Sequence, residues 1–185
     1  MEARTVLRTL ASDELTPSEL AAIRVLLVEA FGVDEDERFE ESDWEHALGG
    51  THFVLEDAGE IVAHAAVVER ELHVGGRPVR TGYVEAVATA SACQGKGFGT
   101  LVMRGVGASI ASRFELGALG TGVFHFYERL GWLRWLGPSS VRMPDGATRP
   151  TTDDDGYLMV LATPSSPTID LTAPISCEWR PGDVW

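Results

Sequence analysis

Cysteine is scarce in this chain: Cys93 and Cys177 are too few and too far apart for a disulfide framework or a zinc site. Five histidines lie scattered without ligand spacing, so reduced thiols and no metal are expected. Positive charge is also in short supply. Against 28 Asp and Glu there are 15 Lys and Arg, a formal charge of −13. That balance argues against nucleic acid and would attract cationic small molecules, although soluble proteins are often acidic for no specific reason. No apolar run approaches the roughly 20 residues of a membrane span. The opening MEARTVLRTLASDEL carries Glu2, Asp13 and Glu14 where a secretory leader would be basic and then apolar. The expectation is a cytoplasmic protein with no membrane partner.

What is present is an ordinary globular composition, 44% hydrophobic and 23% charged over 185 residues, read as one domain over 1–185. A strand at Thr5–Leu10 precedes a helix marked by Thr16 as cap, Pro17 in the first turn and Glu19 three residues after the cap. Leu20, Ile23, Leu27 and Phe31 then recur at helical spacing, a core face. The acidic stretch from Gly32 to Gly50 contains a short helix from Ser42, a plausible cap, to Leu48; it reads otherwise as a solvated loop, against which Trp44 speaks. Three strands follow in a meander, THFVLED, EIVAHAAVVERELHV and RPVRTGYVEAVATA, joined by hairpin turns at Ala58-Gly59 and Gly75-Gly76. Helix is expected from Gly97 to Phe114, a strand at Leu116–Gly120, a helix at Val123–Leu130 and a strand from Trp132. From Gly137 the prolines concentrate and no period is clear until GYLMVLA, a strand; SCEWRPGDVW reads as a closing strand or a loop.

Between the third strand of the meander and the next helix lies Gln94-Gly95-Lys96-Gly97-Phe98-Gly99. A strand entering a glycine-rich loop at a helix N-terminus makes an anion site, because free N–H groups and the positive end of the helix dipole face the same space. Two familiar phosphate loops do not fit. A dinucleotide fingerprint needs glycine where Thr100 stands, and a P-loop needs Ser or Thr where Gly97 follows Lys96. Glycines that merely let a strand turn into a helix remain the plainer reading.

The order helix, meander, Q-x-x-G-x-G loop, helix, strand, helix resembles the GCN5-related N-acetyltransferase (GNAT) superfamily, and Gln94, Gly97 and Gly99 match its motif. The resemblance narrows further. SDWEHALGG, IVAHAAVVER, GYVEAVA, YERLGWLRWLGPSSV, TRPTTDDDG and WRPGDVW, in that order, are similar to the aminoglycoside 2′-N-acetyltransferases of actinobacteria. The implied fold is α/β (α+β), a mixed, mostly antiparallel twisted sheet flanked by helices, with a V-shaped splay after the fourth strand. The implied co-substrate is acetyl-CoA, with no metal. The implied substrate is a polycationic aminoglycoside, and the assembly a homodimer.

Roles follow residue by residue from the same resemblance. Main-chain N–H groups across Gly95, Lys96, Gly97, Phe98, Gly99 and Thr100, with Gln94, cradle the diphosphate, and Lys96 adds a rim charge. Val87 and Thr89 pair their main chain with the pantetheine arm, the Val87 N–H facing the thioester oxygen. Glu85, expected on the opposite face of its strand from Val84, binds the substrate amine and relays its proton through water; it reads otherwise as an exposed strand residue. Tyr127 protonates the departing thiolate, or else packs on its helix. Asp43, Glu85, Ala86, Gly120, Asp154, Asp183 and Trp185 contact the substrate, Trp185 through a terminal carboxylate; Asp153–Asp155 alone would read as a turn-capping acidic loop. GVDEDER is longer than the family's acidic loop, so Asp36 or Glu37 in the Asp34–Glu37 stretch is a further candidate. Gly120 stands where relatives commonly have serine. Two other functions stay open: acetylation of another amine, a polyamine or cell-envelope amino sugar, and a non-catalytic CoA-binding module.

Overall fold

The structure is a computed structural model and describes residues 5–32 and 39–185. The chain divides into two compact units, residues 1–68 with 84–106 and residues 69–83 with 107–185. The Asp34–Glu37 candidates lie outside the described residues.

In the first unit, β1 (Thr5–Ala11) pairs antiparallel with β2 (Thr51–Asp57), and β2 with β3 (Glu60–Val74). The chain between β1 and β2 supplies α1 (Pro17–Phe31) and α2 (Glu41–Ala47). α1 starts as its sequence dictates. The Thr16 hydroxyl accepts the Glu19 N–H at 3.3 Å, and the Glu19 carboxylate accepts the Thr16 N–H at 2.8 Å, satisfying two donors that the helix cannot. Ile23, Leu26 and Leu27 are buried with Trp44, Ala47, Val54 and Ala66, each large aliphatic contributing about 1.5–3 kcal/mol. The expected face is shifted at its end: Leu26 is in the core, whereas Phe31 is 41% exposed and stacks on Phe39 with ring centroids 6.2 Å apart. The α2 cap is also displaced from Ser42 to Glu40, whose N–H donates to Asp43 at 2.8 Å.

Both expected hairpins are present. Ala58-Gly59 (φ 53° and 88°) joins β2 to β3, and Gly75-Gly76 (φ 58° and 80°) joins β3 to β4 (Arg77–Thr89). Left-handed backbone at both central residues suits the mirror-image turns that follow strand twist. α3 (Phe98–Arg113) follows, then β5 (Leu116–Gly120), α4 (Phe124–Glu128), β6 (Leu133–Arg134), β7 (Ser139–Arg142), β8 (Thr148–Pro150), β9 (Leu158–Ala162) and β10 (Ile175–Glu178).

In the second unit β5 lies parallel to β4 through Thr81↔Leu116, Gly82↔Gly117 and Tyr83↔Ala118. β9 pairs antiparallel with β5 and with β6; β10 pairs antiparallel with the end of β3 and parallel with β7, which pairs antiparallel with β8. The facing glycines of the β4–β5 ladder have a packing reason. A methyl group on Gly82 would lie 2.7 Å from the Phe114 ring and force it to shift, and one on Gly117, 3.0 Å from Leu161 and 3.2 Å from Ile110, would press on both side chains. The mixed, mostly antiparallel sheet matches the expectation from sequence. α4 is shorter than expected, closing in a turn where the Leu130 N–H reaches Tyr127 O, and β7 and β8 lie in the tail that showed no period. Among the described residues no helix is long and apolar enough to cross a membrane.

Candidate active site

β4 runs through a 3-10 turn at Ser91–Cys93 into the glycine loop and then α3. Gln94, Gly95, Lys96 and Gly97 are exposed, and Phe98, Gly99 and Thr100 are half-buried in the first helical turn. Gly95 and Gly97 have φ of 76° and 85°, a left-handed backbone that side chains with a Cβ rarely adopt, and a Cβ at either would meet nothing within 4 Å. The glycines are therefore required by conformation and not by crowding. The Leu101 N–H donates to Gly97 O at 3.0 Å, which opens the helical ladder. The N–H groups of Phe98, Gly99 and Thr100 precede it in the first turn, where a helix has no carbonyl to offer them. Sixteen residues of helix dipole add to that end.

Just upstream, strand alternation fails. Ala86 has φ 52°, so the chain kinks between half-buried Glu85 and half-buried Val87, with Thr89 also half-buried. The Ala86 carbonyl accepts a hydrogen bond from His64 Nδ1 at 2.8 Å. Asp43 belongs to the same unit but already uses one carboxylate oxygen to cap α2.

The second unit holds the other candidates, and several of them meet. Trp185 is buried; its indole N–H donates to Thr151 Oγ1 at 2.8 Å and its main-chain N–H to Asp183 at 3.2 Å. Arg180 binds Asp183 O at 2.7 Å and Trp185 O at 3.3 Å. A methyl group on Gly120 would sit 3.6 Å from the Tyr83 hydroxyl and 4.0 Å from the Trp185 carbonyl carbon, so the position has room for serine. Asp154, in the 3-10 turn Thr152–Asp154, has its carboxyl pushed up to about 6, first by burial and then by the charges of Asp183, Asp153 and Asp155. Asp155 is structural: it accepts the Ser139 N–H at 2.7 Å and the Ser139 hydroxyl at 2.8 Å.

Arg70 was not singled out from sequence. It is buried, bonds Glu178 Oε1 at 2.9 Å, Glu178 O at 3.1 Å and Val184 O at 2.9 Å, and lies 4.8 Å from the Tyr83 ring centroid. The signal was its register. Glu69 and Glu71 are exposed while Arg70 is buried in step with Leu72.

Tyr127 sits in α4, buried, edge-on to Phe126 at 4.9 Å and to Trp132 at 6.2 Å. Burial pushes its phenol up to about 12, so it keeps its proton at neutral pH.

The family model described as an acetyltransferase (GNAT) domain matches residues 12–134, which include the Glu85 strand, the glycine loop and Tyr127. The chain is 40% identical over 181 residues, 96% of its own length and 91% of the relative's, to an aminoglycoside 2′-N-acetyltransferase of Mycolicibacterium fortuitum. This chain belongs to the GNAT acetyltransferases and, within them, to the family of that relative. Solved GNAT structures share the fold at low identity. The Escherichia coli YhbS protein, solved with CoA, matches with a TM-score of 0.65 at 16% identity over 96% of this chain and 91% of that one. A Brucella melitensis family member, solved with acetyl-CoA, matches with a TM-score of 0.59 at 21% identity over 90% and 94%. The GNAT family match ends before Asp154, Asp183 and Trp185. Among the described residues no group of three or more His, Cys, Asp or Glu side chains could hold a metal ion.

Proposed function

We propose that this chain, as a single domain over 1–185, transfers the acetyl group of acetyl-CoA to the 2′-amino group of aminoglycosides. The 40% identity to a relative of that activity, over nearly the whole of both chains, carries the reading. The glycine loop offers N–H donors and a helix N-terminus to the CoA diphosphate. Asp154, Asp183 and Trp185, brought together in the second unit, offer oxygens to a substrate that bears several ammonium groups.

The chemistry is attack of an uncharged amine on a thioester carbonyl. Glu85 receives the amine and relays its proton through water, and Asp43 and Ala86 also face the substrate. Val87 and Thr89 hold the pantetheine arm by their main chain, and the Val87 N–H stabilises the oxyanion. Tyr127, protonated at neutral pH, supplies the proton that the thiolate takes on leaving. Acetyl-CoA serves as co-substrate without a metal. The protein acts in the cytoplasm as a homodimer, with no nucleic-acid or membrane partner.

The test is thiol release from acetyl-CoA with paired aminoglycosides bearing 2′-amino or 2′-hydroxy groups. Turnover confined to the 2′-amino compounds is expected, and equal turnover of both moves the reaction to another amine. Faster turnover of a polyamine or amino sugar replaces the substrate, and CoA binding without thiol release under any amine makes the chain a binding module.

A further inference from the structure

A chain of hydrogen bonds crosses the core of the first unit, and its side chains have no part in the reaction as described above. Ser12 Oγ lies 2.7 Å from His52 Nε2, His52 Nδ1 lies 3.0 Å from His64 Nε2, and His64 Nδ1 lies 2.8 Å from Ala86 O. Its polarity follows from one fact. A carbonyl oxygen only accepts, so His64 Nδ1 carries the proton and His64 Nε2 is bare. His52 must then donate from Nδ1, which leaves its Nε2 to accept the Ser12 hydroxyl proton. The Ser12 oxygen in turn accepts the Gly49 N–H at 2.9 Å. All four ring nitrogens are engaged and both rings are neutral. Burial favours the same state, holding His52 down at about 4 and His64 at about 3.

The rings meet because of strand register. His52 pairs with Ala66 and His64 with Val54, which makes the histidines diagonal neighbours on one face of β2 and β3. Trp44 of α2 flanks both, with ring centroids at 6.1 and 6.5 Å.

The far end of the chain is the strained residue. A left-handed alanine is strained, because its Cβ crowds the backbone, and it persists where its surroundings hold it. The Ala86 carbonyl belongs to the same peptide plane as the Val87 N–H, and in a planar trans peptide the two point opposite ways. Fixing the oxygen toward His64 therefore fixes the direction of the N–H. Donation into that oxygen also polarises the peptide and strengthens its N–H as a donor.

We propose that His64, set in turn by His52 and Ser12, is a positioning residue for acetyl transfer that aims the Val87 N–H at the thioester oxygen as it becomes an oxyanion. The proposal rests on the acetyltransferase reading.

Two arms test it. In the first, nitrogen NMR of histidine-labelled protein at pH 7 reads the tautomers without any turnover. Two buried rings protonated on Nδ1 are expected, with the His52 signals moving in Ser12→Ala; a proton on Nε2 of either ring overturns the proposal. In the second, His64→Phe keeps the ring and removes the donor. A misaimed oxyanion donor loses less than a deleted one, so kcat is expected to fall about tenfold while KM for acetyl-CoA stays within about threefold. His64→Asn, whose amide N–H can replace Nδ1–H, is expected to recover at least half of that loss on a logarithmic scale. A folded His64→Phe with kcat within about threefold of wild type overturns the proposal. Should His64→Phe fail to fold, Ser12→Ala at the half-buried end of the chain takes its place: a fall of about two- to threefold in kcat supports the proposal and an unchanged kcat overturns it. Failure of the acetyltransferase reading looks different, since wild type then releases no thiol with any amine whatever the tautomers are.

Discussion

The glycine loop of the first unit and the acidic turn of the second are both short surface turns, yet they are held in opposite ways. The loop is fixed by backbone: two left-handed glycines and a helix start, with a lone lysine as its charge and open space beyond each Cα. The acidic turn is fixed by side chains. Asp155 is tied to Ser139, Asp183 to the Trp185 N–H, and the Trp185 indole to Thr151, around an Asp154 crowded by like charges. A backbone site is indifferent to pH and tuned by conformation; a carboxylate site stores repulsion that a polycation can relieve. On the proposed function the loop serves acetyl-CoA and the acidic turn the aminoglycoside, so variants of the two should fail in different ways.

The largest expected effect belongs to neither site's binding. Tyr127→Phe keeps the ring against Phe126 and Trp132 and removes one hydroxyl. kcat is expected to fall about 10- to 100-fold, the low end for general acid catalysis because a thiolate leaves partly unaided, with both KM values nearly unchanged. Steady-state kinetics at saturating acetyl-CoA decide it, and a drop below about threefold makes Tyr127 a packing residue.

Gly97→Val then tests the backbone site. At φ 85° valine is strained whatever the space around it. The loop is expected to relax away from its cradle, weakening acetyl-CoA about tenfold or more, since about 1.4 kcal/mol is a factor of ten. Calorimetry on a folded variant with unchanged affinity would sink the loop assignment.

Asp154 tests the carboxylate site through pH. Its folded-state carboxyl titrates near 6 instead of 3.8, so ionisation is disfavoured in the folded protein. Stability should therefore rise as pH falls from 7 toward 4, an increment absent in Asp154→Asn. Drug binding should weaken over the same fall, because the carboxylate is lost through pH 6. KM for the aminoglycoside should rise a few-fold between pH 7 and 5 while that for acetyl-CoA does not follow. Parallel curves for the two substrates would erase the contrast between the sites.

The smallest effect is salt. Screening lengths shrink from about 10 Å at 0.1 M to about 3 Å at 1 M, so KM for a polyamino drug should climb while KM for acetyl-CoA climbs less. Equal slopes would point to a general ionic effect.

Several elements were legible because their determinants are local. Thr16, Pro17 and Glu19 lie within one helical turn and specify the start of α1 on their own. Ala58-Gly59 and Gly75-Gly76 mark their hairpins the same way. Where a contact partner lies far along the chain, local spacing misleads. Phe31 keeps the helical spacing of the core face, but α1 has left the core by then, and Leu26 is buried instead. Asp43 reads as a free carboxylate until Glu40 is seen to donate to it. β7 and β8 are short and lie among prolines, and β7 takes its order from β10, more than thirty residues away.

The histidines mark the boundary most sharply. In sequence His52 and His64 are twelve positions apart, amid a run of apolar residues covered on both faces, and no spacing links them. The amino acids alone determined the helix starts, the hairpins, the glycine loop and the family, because each depends on neighbours within a few bonds or on a pattern spread along the whole chain. Tertiary structure decided which carboxylates share a space, that Ala86 kinks its strand, and that a neutral histidine backed by a second one holds its carbonyl. Those outcomes depend on strand register and on burial, which change the protonation and the hydrogen-bond partners of residues whose identity stays the same.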